Sequence, residues 1–80
     1  MKRVYANSVI EVVDLDDVAS GERAIEFCDP SNTDLCFAVV IPEGASWSEA
    51  TVSLAPRCPE ISVAFMLWAI DVAREIFEGK

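Results

Sequence analysis

The spacing of apolar residues changes along the chain, from a period near two in the first half to a helical period at the end. The last stretch, 59–80, has apolar residues around well over half of a helical circumference, and Leu67 lies on its polar strip. Pro59 suits a first helical position and Gly79 a left-handed stop, so this stretch predicts one helix of about 20 residues. Its unbroken apolar run, 63–70, is too short to cross a membrane.

Two stretches near the N-terminus differ sharply, one being rich in β-branched residues and the other in acids. Residues 4–13 alternate in part, which predicts a strand that is strongest from Ser8 onward. Ser8 and Glu11 also fit a helix capping box, but the valines of this stretch make it a poor helix. Residues 14–21 predict a connecting loop with room for one helical turn.

The middle of the chain predicts a hairpin and a further strand. The strand-like segment 22–28 and the nearly continuous apolar run 35–41 flank a segment dense in turn formers, so they predict an antiparallel pair. For 45–55, alternation predicts a half-buried strand with Val52 and Leu54 on its inner side. A capping-box pattern in the same segment allows a short helix instead.

Together these elements predict the order β-β-β-β-α in a single domain spanning 1–80. We expect an α+β fold, in which a small antiparallel sheet of three to four strands carries the long C-terminal helix on one face. The other sheet face is then partly exposed to water, or it pairs with a second copy of the chain. Because 52% of the 80 residues are hydrophobic, the chain is suited to a dense core or a buried interface.

Charge is the feature that narrows function most. The formal net charge is −8, from 14 acidic and 6 basic residues. Segments 4–22 and 24–56 each contain five acidic residues and no base. Such a field repels the phosphates of nucleic acids and of anionic membranes, so we expect neither as a direct partner. It attracts basic surfaces and speeds encounter with them, so a protein partner with a basic surface is expected.

The sequence lacks the residue types that most catalytic and metal sites need. It contains no histidine, and its glycines are isolated, so neither a nucleophile–base pair nor a phosphate-binding loop is indicated. The acidic run Asp14, Asp16 and Asp17 fails the EF-hand calcium pattern, because Val18 stands at a ligand position. We therefore expect no enzyme activity, no cofactor and no bound metal.

The three cysteines, Cys28, Cys36 and Cys58, form no CxxC pair. An odd count, in a chain whose N-terminus lacks the long apolar core of a signal peptide, favours a reducing compartment and a cytoplasmic location. Cys28 and Cys36 flank the predicted turn and could face each other across the hairpin. Free buried thiols are the favoured interpretation of the pair.

The favoured hypothesis for function is a small inhibitor whose carboxylates mask the basic, nucleic-acid-binding surface of a larger protein. By type rather than by motif, the chain is similar to the small phage-encoded inhibitors of host defence, anti-CRISPR and anti-restriction proteins among them. A similarity of type carries no functional residues with it. The candidate contact residues are the acidic Asp14, Asp16, Asp17, Glu22, Asp29 and Asp34 and the apolar Trp47 and Leu67.

Two alternatives use the same features differently. In the first, the chain is a homodimeric structural or assembly module that buries the excess apolar surface of its C-terminal helix, and its charge serves solubility. In the second, it is an immunity or antitoxin protein that neutralises a basic toxin, which has the same electrostatics as the inhibitor but another target.

Overall fold

The computed structural model describes residues 1–79, which form one sheet and one long helix. In chain order the elements are β1 (Lys2–Tyr5), β2 (Ser8–Asp16), β3 (Arg23–Asp29), β4 (Asn32–Ile41), a short 3-10 helix (Trp47–Glu49), β5 (Thr51–Leu54) and α1 (Val63–Glu78). The sheet is antiparallel with strand order β1-β2-β3-β4-β5, so every strand pairs with its neighbours in sequence. The predicted α+β fold is confirmed, with five strands instead of three to four.

The predicted first strand is in fact two strands joined by a two-residue hairpin loop. Ala6 and Asn7 both have positive φ, 46° and 68°, and Tyr5 pairs with Ser8 across the loop. Two left-handed residues are what a tight hairpin turn requires, but alanine there gives no sequence signal of a turn. β2 also continues to Asp16, where a connector was predicted, because pairing with β3 supplies backbone partners along this segment.

The hairpin of β3 and β4 has the predicted antiparallel pairing, with Phe27 opposite Phe37. Cys28 and Cys36 are also opposite each other, with their Cα atoms 4.4 Å apart, and they form a disulfide bond. The preference for free thiols at these positions was therefore wrong, since the register brings the pair within the range that a disulfide spans. Cys58 is a free, half-buried cysteine.

The two interpretations of 45–55 both prove correct for part of the segment. The 3-10 helix comes first, and the Ser46 N–H donates to Glu49 Oε2 at 3.1 Å. β5 follows, and its Val52 and Leu54 lie on the inner side as predicted, opposite buried Val39 and Phe37, but 42% and 55% of their surface is exposed. The reason is that β5 is the edge strand and α1 does not extend over it.

The long helix begins later than predicted and ends where predicted. Ser62 is its N-cap, and its hydroxyl accepts a hydrogen bond from the Phe65 N–H at 3.1 Å, so the helix has 16 residues rather than about 20. Gly79 closes it in the left-handed conformation, with φ of 75°. No helix within residues 1–79 is long and apolar enough to cross a membrane.

The core lies between α1 and one face of the sheet. Tyr5 of β1 and Phe37 of β4 both contact Phe65, with ring centroids 5.0 and 5.9 Å away, so the helix sits over the middle strands. Trp68 stacks on Phe65 and packs against the core. The buried core residues are Ile10, Val12, Ile25, Phe27, Phe37, Val39, Ile41, Phe65, Ala69, Val72 and Ala73.

Candidate protein-binding surfaces

A group of carboxylates gathers at the end of the sheet where β2 turns into β3. The turn is closed by two backbone hydrogen bonds, from Asp17 N–H to Glu22 O at 2.9 Å and from Gly21 N–H to Asp17 O at 2.7 Å. We name this group the acidic pole, and it consists of Asp14, Asp16, Asp17, Glu22 and Glu43. Four of the six predicted acidic contact residues therefore lie together.

Glu43 belongs to the acidic pole although no pattern in the sequence marked it as a candidate contact residue. It follows β4, and the pairing of Ile41 with Arg23 brings the end of β4 beside the β2–β3 turn. Its side chain lies against Gly21, where an added Cβ would be only 2.5 Å from Glu43 Cδ. Gly21 also has φ of +75°, so both its backbone and its missing side chain allow this contact. Only the strand pairing could have revealed it.

Arg23 is the basic residue built into this end of the sheet, and each of its three guanidinium nitrogens donates a hydrogen bond within the molecule. Nε and Nη2 donate to the two carboxylate oxygens of Asp14 at 3.0 and 2.8 Å. Nη1 and Nη2 also donate to the carbonyl oxygens of Phe77 and Ile76, at 3.3 and 3.1 Å, in the last turn of α1. Arg23 thus ties the sheet to the negative end of the helix.

The remaining carboxylates of the acidic pole are exposed and lie outside the ion pairs of the described residues. Asp16, Asp17, Glu22 and Glu43 make no ion pair within residues 1–79, and all four are exposed. By contrast, the hydrogen bond from Arg23 lowers the pKa of Asp14 and fixes that carboxylate as part of the scaffold.

The charged side chain of Asp17 is held in place by hydrogen bonds within the turn. Its Oδ1 accepts hydrogen bonds from the Ala19 N–H at 2.9 Å and the Ser20 N–H at 3.3 Å. Bonding from the Ser20 side chain, and then from these two amides, lowers the pKa of Asp17 below its ordinary value. The acidic pole therefore presents a preformed anionic turn.

Asp29 and Asp34, the other two predicted acidic contacts, lie at the opposite end of the sheet. β3 runs from Arg23 to Asp29, which at about 3.3 Å per residue separates the two ends by roughly 20 Å. Asp29 builds its turn, because its Oδ1 accepts from both the N–H and the hydroxyl of Ser31, at 2.9 and 2.7 Å. These hydrogen bonds lower the pKa of Asp29. Asp29 and Asp34 therefore lie outside the acidic pole, and their role as contacts stays a prediction.

The two predicted apolar contacts have different surroundings. Trp47 is half-buried and packs on Phe77, with ring centroids 6.1 Å apart. Much of its ring therefore makes contacts within the protein. Leu67 is 58% exposed and faces a groove between α1 and β5.

This α1–β5 groove is an apolar concavity of about 470 Å³. Its lining residues are Leu54, Cys58, Pro59, Glu60, Ile61, Val63, Met66 and Leu67. Val63 is 75% exposed there, although its apolar neighbours in the helix sequence suggested a core position. Helical periodicity could place Val63 on an apolar arc, but it could not show that the sheet ends before reaching it.

A second exposed apolar surface lies on the sheet face opposite α1. Val4, Val9, Val13 and Leu15 are each between 42% and 67% exposed there. Glu26 interrupts this face, since it pairs with Val13 on one side and with Ala38 on the other. In the single chain this face is partly exposed, and it is more apolar than simple alternation requires.

Within residues 1–79, no group of three or more histidine, cysteine, aspartate or glutamate side chains is arranged to hold a metal ion. Comparisons of the chain with protein-family models, with curated proteins and with solved structures found no match. The proposed function therefore rests on the acidic pole and the exposed apolar surfaces.

Proposed function

We propose that this chain is a non-enzymatic binding protein whose acidic pole docks on the basic, nucleic-acid-binding surface of a larger protein. The observation that supports the proposal is the pole itself, where four exposed carboxylates surround a turn and Arg23 is already engaged by Asp14 and the helix end. Arranged this way, the carboxylates take the place of phosphates opposite lysine and arginine side chains.

The contact and its scaffold are made by different residues. Asp16, Asp17, Glu22 and Glu43 face the partner, whereas Asp14 and Arg23 hold the turn against α1. We place the protein in the cytoplasm because of its proposed role as an inhibitor of the phage-encoded anti-defence type. The Cys28–Cys36 disulfide removes the argument from free cysteines for that location. An immunity protein facing a basic toxin would use the same surface, and the identity of the captured partner separates the two.

The test compares two variants of equal charge. The pole variant carries Asp16→Asn, Asp17→Asn, Glu22→Gln and Glu43→Gln. The distal variant carries four substitutions outside the acidic pole: Glu11→Gln, Glu26→Gln, Asp34→Asn and Asp71→Asn. Each changes the net charge from −8 to −8 + 4 = −4. We expect the unmodified chain and the distal variant, but not the pole variant, to capture a basic protein from a lysate of the source cells.

Two further measurements on the captured protein make the test specific. Nucleic acid should compete with the chain for it, and the affinity should fall steeply between about 50 and 200 mM salt, because the contact is between exposed charges. Equal capture by the pole and distal variants would overturn the proposal. So would a captured protein that binds nucleic acid and this chain at the same time.

The homodimer alternative would use Val63 and Leu67 on α1, which are exposed. We do not favour it, because both residues line a concave groove. A two-fold dimer brings the same patch of both copies together, so that patch must complement itself, and a groove does not fit against a groove. Sedimentation at micromolar concentration tests this directly, with a monomer as the expected result.

A further inference from the structure

The two edges of the sheet differ in how well they are protected from pairing with another strand. β1 carries Lys2 and Arg3, and charged side chains on an edge strand discourage pairing. β5 consists of Thr51 to Leu54, with no charge, no proline and every residue exposed. Of the two, β5 is the edge that is open to a further strand.

The backbone groups that β5 offers can be assigned from its pairing. Ala55 N–H donates to Cys36 O at 3.0 Å, so Ala55 directs its backbone groups toward β4. Hydrogen-bonding direction alternates along an antiparallel strand. Ser53 and Thr51 therefore also face β4, and the N–H and C=O groups of Val52 and Leu54 point to the free edge.

The same two residues direct their side chains toward the α1 side of the sheet. Val52 pairs with buried Val39, and Leu54 pairs with buried Phe37, so all four lie on the face that α1 covers elsewhere. Leu54, at the end of β5, then lines the α1–β5 groove together with the connecting residues 58–61 and with Val63, Met66 and Leu67 of α1. At about 470 Å³ the groove is within the size range of protein ligand sites.

A second copy of the chain does not fill this site. The ring contacts of Tyr5 and Phe37 with Phe65 place α1 over the middle of the four strands β1 to β4. If two copies paired through β5, their helices would be six strand spacings apart, roughly 29 Å. Packed helices are about 8–10 Å apart, so both grooves would stay empty.

We propose that the α1–β5 groove binds an extended segment of a partner protein, which adds a sixth strand beside β5 and inserts alternate apolar side chains between β5 and α1. Recognition by strand addition takes its affinity from main-chain hydrogen bonds and its specificity from pockets for alternate side chains. Glu60 is the one charged residue lining the groove, and with the net charge of −8 it favours lysine or arginine flanking the apolar positions. This proposal does not depend on the acidic pole.

The test begins with selection of random ten-residue peptides displayed on phage against the immobilised chain. We expect selected peptides with apolar residues at alternate positions and a lysine or arginine at one or both ends. A synthetic copy of the best peptide should slow hydrogen exchange at the Val52 and Leu54 amides. The Thr51 and Ser53 amides, already bonded to β4, should change little.

Three substitutions then locate the site. Val52→Pro removes one outward N–H, and proline is tolerated at such a position on an edge strand. Leu67→Ser removes one wall of the groove. Each should weaken peptide binding about tenfold or more, which corresponds to the loss of one hydrogen bond or of a buried side chain. Leu15→Ser, on the opposite face of the sheet, is the matched control and should leave the affinity unchanged.

Several outcomes would overturn the proposal. They are a selection that yields no alternating peptides, a Val52→Pro variant that folds and binds as well as the unmodified chain, and a dimer that Leu67→Ser converts to monomer. The pole variant separates the two proposals. It should lose the basic partner while its affinity for the peptide changes by no more than a fewfold.

Discussion

At the scale of single residues, Arg23 connects more parts of the molecule than any other side chain described above. It binds Asp14 through two hydrogen bonds, reaches two carbonyls of α1, and its guanidinium carbon lies 5.5 Å from the centroid of the Phe77 ring. Its side chain is only 26% exposed, so these contacts are less screened than those of an ordinary surface pair.

We predict that Arg23→Met lowers the free energy of unfolding by about 2 kcal/mol. The methionine keeps much of the packing, but it leaves Asp14 without its partner and removes the Arg23 donors from the carbonyls of Phe77 and Ile76, of which Ile76 O keeps the Gly79 N–H. Urea unfolding measures the change. Arg57→Met is the control, because Arg57 is exposed, and its effect should stay within about 0.5 kcal/mol. Equal effects of the two substitutions would contradict this role of Arg23.

The pairing with Arg23 also predicts how stability depends on pH. The pKa of Asp14 is lowered in the folded state, so its contribution to stability is complete above the unfolded value of about 3.9 and disappears as pH falls through the folded value. Asp14→Asn removes that contribution. The stability difference between the unmodified chain and Asp14→Asn should therefore be larger at about pH 6 than at about pH 3. A difference that does not change with pH would show that Asp14 acts only through packing.

At the scale of elements, the β3–β4 hairpin contributes the cross-strand disulfide. Cys28 and Cys36 are 8 residues apart in sequence, and closing a loop of that length in the unfolded chain stabilises the fold by about 2.5 kcal/mol in the chain-entropy account. We predict that replacing both by alanine lowers the melting temperature by on the order of 10 °C. Cys58→Ala, at a free cysteine, should change it little. Titration of three reactive thiols in the unfolded but unreduced protein would contradict the pairing.

The elements that the sequence predicted well are those whose signals are local. The β3–β4 hairpin follows from two apolar runs around a turn, and the end of α1 follows from Gly79. The beginning of α1 was misjudged because Pro59 and Glu60 imitate a helix start, whereas the cap that operates is Ser62. The split between β1 and β2 was missed because Ala6 does not favour the left-handed turn that strand pairing imposes on it.

At the scale of the whole molecule, pairing between strands decides which charges meet. Asp14, Asp16, Asp17 and Glu22 are near one another in sequence, so their grouping was predictable. Asp29 seemed to extend the group, but β3 carries it to the far end of the sheet. Conversely, residue 43 joins the pole only because β4 returns alongside β3. The α1–β5 groove was equally unpredictable, since periodicity does not show where a sheet ends.

If the acidic pole is a surface kept for a partner, it should lower stability. The four exposed carboxylates around the turn repel one another, and Arg23 hydrogen-bonds Asp14, with only Asp16 of the four opposite it in the β2–β3 pairing. We predict that the pole variant is more stable than the unmodified chain at low salt, with a free energy of unfolding about 1 kcal/mol higher. The Arg23→Met substitution is expected to change the free energy of unfolding in the opposite direction. The asparagine at position 17 retains the oxygen that accepts the turn amides, so the turn itself is preserved.

Salt concentration provides the check on this prediction. Exposed charges are screened at high ionic strength, so the advantage of the pole variant should shrink toward zero at about 1 M salt. The distal variant removes the same number of charges from residues outside the acidic pole, and its stability at low salt should increase less. If the pole variant is the less stable protein at every salt concentration, the carboxylates are holding the turn together. In that case they are structural, and the reason for regarding them as a surface kept for a basic partner is removed.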